Sequence, residues 1–231
     1  CLLSLQVSAQ LGGSFPWQSE LYTDHELIGR IWDSRRGQFV TDAELWDTLL
    51  ESSYVLLGEK HDNPDHHALQ LRVLQALINA DNVDKLTMEM LDNTASENLD
   101  AFLETRFESE EALKNFLNWD DQGWNWAFYG GLIQAAHRAN VPVSAGNLDP
   151  ETVMQVYSSP TSAELEGVLD AEVMSRLLAD IDESHCGLLP ESQFPPMVRV
   201  QQTRDHTMAR SLLLDEGQND GLAVLITGNY H

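Results

Sequence analysis

Four short apolar runs constrain the fold of this chain more than any other feature: "SYVLLG" at 53–58, "KLTMEML" at 85–91, "VPVSAGN" at 141–147 and "LAVLITGN" at 222–229. The first is Gly-bounded and apolar throughout, as suits a strand buried on both faces. Helical stretches separate the four. Thr41 and Glu44 form a capping-box pattern that opens a helix running to about Ser52. Asn63-Pro64-Asp65 starts another that lasts to about Asn79, with proline at the tolerated first position. Further helices are predicted near 95–105, 109–117, 125–139, 150–157, 161–183 and 193–215, and "GRIWDSRRGQFVT" reads as a short hairpin turning near Arg36-Gly37. Apolar strands alternating with helices predict a single α/β domain: a parallel or mostly parallel sheet under helical cover, with long helical insertions. The expected division is a tether over 1–20 and the domain over 21–231. At 231 residues the chain is long enough to bury one sizeable core.

Ligands of an open parallel sheet sit outside the carboxyl ends of its strands. At those ends this sequence places Gly58-Glu59-Lys60-His61-Asp62, then Glu89 between two methionines, then Gly146-Asn147, and finally Gly228-Asn229-Tyr230-His231. Glu89 has apolar neighbours and is expected to be desolvated, so it needs a metal, a histidine or an arginine beside it. Arg204 falls on a largely apolar face with Met197, Val200 and Met208 and is one candidate partner. Glu59 and His61 share one side if the strand stays extended. His66 and His67 lie about 100° apart in the first helical turn, so they cannot face one ligand together, and one of them is left for solvent or a local cap. The helix N-terminus disfavours a charge on either. His185-Cys186 sits in a loop, where Cys186 reads as a small buried hydrophobe, or as a nucleophile or soft ligand. His25 and His137 read as exposed or structural, and His206 is undecided.

Carboxylates with imidazoles suit a divalent metal, with His61, Glu89 and His231 as ligands, or acid–base chemistry. The spacing matches no zinc finger, zincin, phosphate loop, dinucleotide fingerprint or nucleophile elbow. A formal charge of −24 argues against nucleic acid and anionic membrane surfaces as partners. "CLLSLQVSAQ" reads as the tail of a secretion signal, or Cys1 as the lipidated first residue of a lipoprotein; both imply export.

"LLGEKHDNPDHHALQ", "LTMEML", "VPVSAGN", "DESHC", "MVRVQQTRDHTMA" and "VLITGNYH", in this order from about 53 to 231, resemble the ChaN-like family of iron-regulated, haem-binding lipoproteins. That family is grouped with erythromycin esterase-like and TIKI-type proteins that share the Gly-Glu-x-His strand end, some of them hydrolases. The resemblance implies an exported haem-binding lipoprotein of the periplasm or outer membrane, active in iron uptake and membrane-bound only through a lipid on Cys1. It implies haem held in a homodimer, with tyrosine on iron and imidazole or basic groups near the propionates. Tyr157 or Tyr129 would be the ligand, with His66 and His67 as the imidazoles. The alternative is a metal-dependent or acid–base hydrolase built on Glu59, His61, Glu89, His185, Arg204 and His231. Glu59 or Glu89 would then be general base, its pKa raised by burial.

Overall fold

A computed structural model describes residues 16–214 and 221–231. Its elements in chain order are β1 (Ile31–Asp33), β2 (Gln38–Val40), α1 (Asp42–Leu50), β3 (Tyr54–Glu59), α2 (Pro64–Asn79), β4 (Val83–Asp92), α3 (Ser96–Leu99), α4 (Glu110–Phe116), α5 (Trp126–Arg138), β5 (Val143–Asn147), α6 (Pro150–Ser158), α7 (Ala171–Ser184), α8 (Phe194–Leu212) and β6 (Leu222–Gly228). β1 and β2 form the expected hairpin, with Gly37 in the left-handed region at φ 63°. β3, β6, β4 and β5 form one wholly parallel sheet in that order. The α/β architecture read from the apolar runs is therefore the one observed.

Short polar side chains set the helix starts. Thr41 and Glu44 exchange both capping-box hydrogen bonds at α1. Asn63 Oδ1 accepts from the backbone N–H groups of Asp65 and His66 at α2, and Pro64 occupies the first turn. Asp149 caps α6 and Asp170 caps α7. The last of these corrects the sequence reading: the helix expected over 161–183 begins only at Ala171, because Asp170 is its cap and Gly167 turns at φ 71° just before it. The described end of the 1–20 segment is not free either, since the backbone N–H groups of Gln18 and Ser19 donate to the buried Asp65 carboxylate. Cys1 lies outside the described residues.

Alternation along the central strand sorts the core. Leu222, Val224 and Ile226 of β6 face a large cluster with Leu74, Leu77, Leu132 and Ile133 from α2 and α5. Ala223 and Leu225 face Met208 and Leu212 of α8 on the other side. β6 is thus buried on both faces, but β3 is not. It lies at the sheet edge, with Leu56 61% exposed and Tyr54 also exposed, because α8 packs over β4, β5 and β6 and stops short of it.

Candidate functional site at the strand ends

The strand order puts the carboxyl end of β6 between those of β3 and β4, and pairing sets Glu59 level with Gly228. Glu59, 1% exposed, is the centre of the first half of the site. Its Oε1 accepts from the Tyr129 hydroxyl at 2.5 Å and lies 2.8 Å from His61 Nδ1. Its Oε2 lies 2.8 Å from His67 Nδ1, a close polar contact that lacks the alignment of a hydrogen bond. His67 Nε2 lies 3.1 Å from the His61 carbonyl oxygen, and its ring stacks on Phe128. Burial alone would raise the Glu59 pKa, but His61, His67 and Tyr129 outweigh it and hold the carboxyl at about 2. The same burial and contact push the Tyr129 phenol well up, so it stays a donor.

His61 leaves the buried layer. Its side chain is 45% exposed, its ring stands edge-on to Trp124, and it rests on Gly228. A Cβ on Gly228 would come within 2.8 Å of His61 Nε2, so glycine is what lets the ring lie there. With Nδ1 turned to the Glu59 carboxylate, Nε2 is the free nitrogen of the neutral ring. The hydrogen bond that His61 donates to Glu59 raises the His61 pKa above its ordinary value.

The second half is built on Glu89. Its Oε2 accepts from the Gly228 N–H at 2.7 Å and from Thr227 Oγ1 at 3.0 Å, and its Oε1 lies 3.2 Å from His231 Nε2. His231 Nδ1 in turn lies 2.8 Å from Asp205 Oδ1 of α8. Burial opposes a charge on this imidazole, yet carboxylates at both ring nitrogens raise its pKa to about 9. Burial also opposes a charge on Glu89, but His231 and the Gly228 N–H hold its pKa below the usual value. Neither carboxylate has the raised pKa expected of a general base.

Of the predicted site residues, Glu59, His61, Glu89, His231, His67 and Tyr129 come together, Tyr129 on Glu59 and not as a haem ligand on the cavity wall. His66 accepts from the Lys60 N–H instead, as a local cap, and burial lowers its pKa. Arg204 makes no ion pair with Glu89 among the described residues; His231 is the partner. Arg204 lines a cavity of about 290 Å³ with Glu89, Asp92, Asp120, Trp124 and Asn147, and its Nε is buried without a hydrogen-bond partner. His185 does not join the carboxylates: its Nδ1 turns to the Ile181 carbonyl at the end of α7. Cys186 is exposed, not buried. His137 is structural, bonding to the Thr105 carbonyl between Phe102 and Phe107. The divalent-metal alternative loses its support, because the described residues bring no three metal-ligating side chains around one point. His61 turns Nδ1 to Glu59, while Glu89 and His231 pair with each other.

A second, larger cavity of about 1030 Å³ lies between the 161–169 segment, α7 and the start of α8. Leu165, Leu178, Phe194 and Val198 supply apolar wall, and Arg199, Gln202 and the carboxylates of Glu166, Asp182 and Glu191 supply polar atoms. The Arg199 Nη2 donates to the Tyr157 backbone carbonyl at 2.9 Å, at the end of α6, but half-buried Tyr157 is not among the residues that line this cavity. Tyr129, 1% exposed, is in the Glu59 site and not on this wall. The sequence reading missed the cavity altogether, and at the strand ends it missed Trp124, Asp205 and the seat on Gly228.

A parallel α/β domain with a Gly-Glu-x-His strand end and paired carboxylates and imidazoles defines a class. Within it, the chain belongs to the family described as haem-binding uptake, Tiki superfamily, ChaN, whose model matches residues 45–231. Among solved structures it is similar to ChaN of Campylobacter jejuni, described as showing cofacial haem binding, with TM-score 0.74 and 26% identity over 87% of this chain and 80% of that one. It is more distantly similar to an erythromycin esterase, the EreC H289N mutant in its open conformation, with TM-score 0.45 and 14% identity over 81% of this chain and 64% of that one. No curated protein matches it.

Proposed function

We propose that this chain binds haem, at the cavity between α7 and α8, as part of haem uptake. The observation that carries the reading is the chemistry of that cavity. Haem is a flat apolar disc with two carboxylates on one edge. The cavity offers apolar walls from Leu165, Leu178, Phe194 and Val198, one guanidinium, Arg199, among the carboxylates of Glu166, Asp182 and Glu191, and about 1030 Å³, the upper end of ligand-site volumes. Membership of the family supports the same reading, as does the likeness to a protein described as binding haem cofacially. Arg199 would pair with a propionate, and Tyr157 would supply phenolate to the iron. A bound ferric haem brings a Lewis-acidic iron that takes an anionic oxygen ligand. His66 and His67 have no part in it, since they stand at the strand ends.

The proposal extends to export, a lipid on Cys1, a periplasmic or outer-membrane location and a homodimer around the haem. These rest on the sequence resemblance. No helix among the described residues is long and apolar enough to cross a membrane. The reading is tested by the ferric-haem affinity of Tyr157→Phe. We expect it to be at least roughly tenfold weaker, or about 1.4 kcal/mol, than that of the unsubstituted chain. Equal affinity would remove Tyr157 from the site.

A further inference from the structure

Haem in the α7–α8 cavity leaves unused the smaller cavity of about 290 Å³, which lies between the carboxyl ends of β4 and β5, the 117–124 stretch and α8. Charge on its walls is divided. Arg204 stands on α8, with Asp92 at the end of β4 and Asp120 in the 117–124 stretch. Among the described residues Arg204 has no carboxylate within ion-pair distance, and its Nε is buried with no hydrogen-bond partner. A buried N–H without an acceptor has lost water and gained nothing in return. The two aspartates are half used. Oδ1 of Asp92 accepts from Thr94 and Oδ1 of Asp120 from the Gln122 N–H, while neither Oδ2 accepts a hydrogen bond among the described residues. Gly123, also on the wall, makes room for one of them, since a Cβ there would stand 2.6 Å from Asp120 Oδ2.

We propose that this cavity binds a small zwitterion of the amino-acid class, its carboxylate on Arg204 and its ammonium on Asp92 and Asp120. Walls that carry both signs of charge without pairing them are satisfied by a ligand that carries both signs itself. An anion alone would meet Arg204 but face the carboxylates of Glu89, Asp92 and Asp120. A cation alone would leave the guanidinium as it is, and the described residues bring no three metal-ligating side chains around one point. A carboxylate matches the planar fork of a guanidinium, and an ammonium has three donors for aspartate oxygens. Asn147 adds a donor, because its Oδ1 accepts from the Leu148 N–H and its amide nitrogen has no partner among the described residues. Trp124, Leu148 and Pro150 supply apolar wall for a side chain. The volume is at the bottom of the range for ligand sites, which suits a free amino acid and excludes a longer peptide.

Glu89 takes no ammonium in this arrangement, because its oxygens already face His231, Thr227 and the Gly228 N–H. His61 does not line the cavity and has no part in it. The site binds its ligand and breaks no bond. No residue lines both this cavity and the one between α7 and α8, so the zwitterion and haem do not compete, and either reading can fail without the other.

The test is isothermal titration calorimetry of the full chain with L-leucine, whose side chain suits the apolar wall. The expected result is saturable binding of one molecule per chain. L-leucine methyl ester, which lacks the carboxylate charge, and isocaproate, which lacks the amine, should each bind at least roughly tenfold more weakly. Arg204→Gln should weaken L-leucine by a similar factor and leave the methyl ester nearly unchanged, a split that a merely structural role would not produce. Asp120→Asn keeps an Oδ1 for Gln122 and should also weaken L-leucine, so it decides the matter if Arg204→Gln loses its circular dichroism. No saturable binding of L-leucine, an equal affinity for its methyl ester, or a folded variant that binds L-leucine as the unsubstituted chain does would each overturn the proposal.

Discussion

Glu59 and His231 are the clearest cases at the residue scale, because they reverse what burial alone would do. Burial raises a carboxyl and lowers an imidazole, yet Glu59 is held at about 2 and His231 is raised to about 9 by the groups around them. The pH dependence of stability follows from the two directions. The contribution of Glu59 is present above the ordinary 4.5 and is lost as pH falls toward 2. The contribution of His231, which faces Glu89 and Asp205 with His61 nearby, is complete below 6.5 and is lost as pH rises through about 9. We therefore expect the thermal midpoint to be highest between about pH 4.5 and 6.5 and to fall on both sides, with His231→Ala flattening the alkaline side and, because Glu89 loses that partner, changing the acid side too. A pH series of melting curves checks this; an alkaline limb unchanged in the variant would contradict it. Glu59, His61, Glu89 and His231 were legible in the sequence because strand ends are readable and polar residues there stand out against apolar runs. Their partners were not. Tyr129 meets Glu59 from 70 positions away, and Asp205 meets His231 from a helix whose polar face gives no sign of which carboxylate turns inward.

At the scale of elements, the capping residues were the most readable signals. Thr41 and Asn63 begin α1 and α2 where the sequence predicts, because a side-chain oxygen that satisfies free N–H groups is a local property. Asn63 also fixes the start of the helix that carries His67 to Glu59. Asn63→Ala should cost about 1 kcal/mol, a fall of roughly 2–4 °C in Tm for a chain of this size; an unchanged Tm would show that the cap adds nothing. What failed at this scale depended on neighbours. "SYVLLG" has the composition of a doubly covered strand, but its place at the sheet edge is decided by β6 inserting between β3 and β4, which no local pattern encodes. The start of α7 was misplaced because Gly167 and Asp170 interrupt a stretch of otherwise good helix formers.

For the whole molecule, α8 takes part in two places of different character. The strand ends gather charge in buried pairs, while α7 and α8 enclose a larger, mostly apolar space edged by Arg199 and by the carboxylates of Glu166, Asp182 and Glu191. That cavity was invisible in the sequence because ordinary amphipathic helices supply its walls, and whether their apolar faces meet or stand apart is a property of packing. With 13 Lys and Arg against 37 Asp and Glu, the chain has few cations to offer propionates, which gives Arg199 added weight. The most direct measurement of the central claim is an absorption titration of the purified chain with ferric haem. The account predicts saturable binding near one haem per chain, with the high-spin spectrum of a phenolate-ligated iron. A linear, unsaturated response with the spectrum of free haem would contradict it.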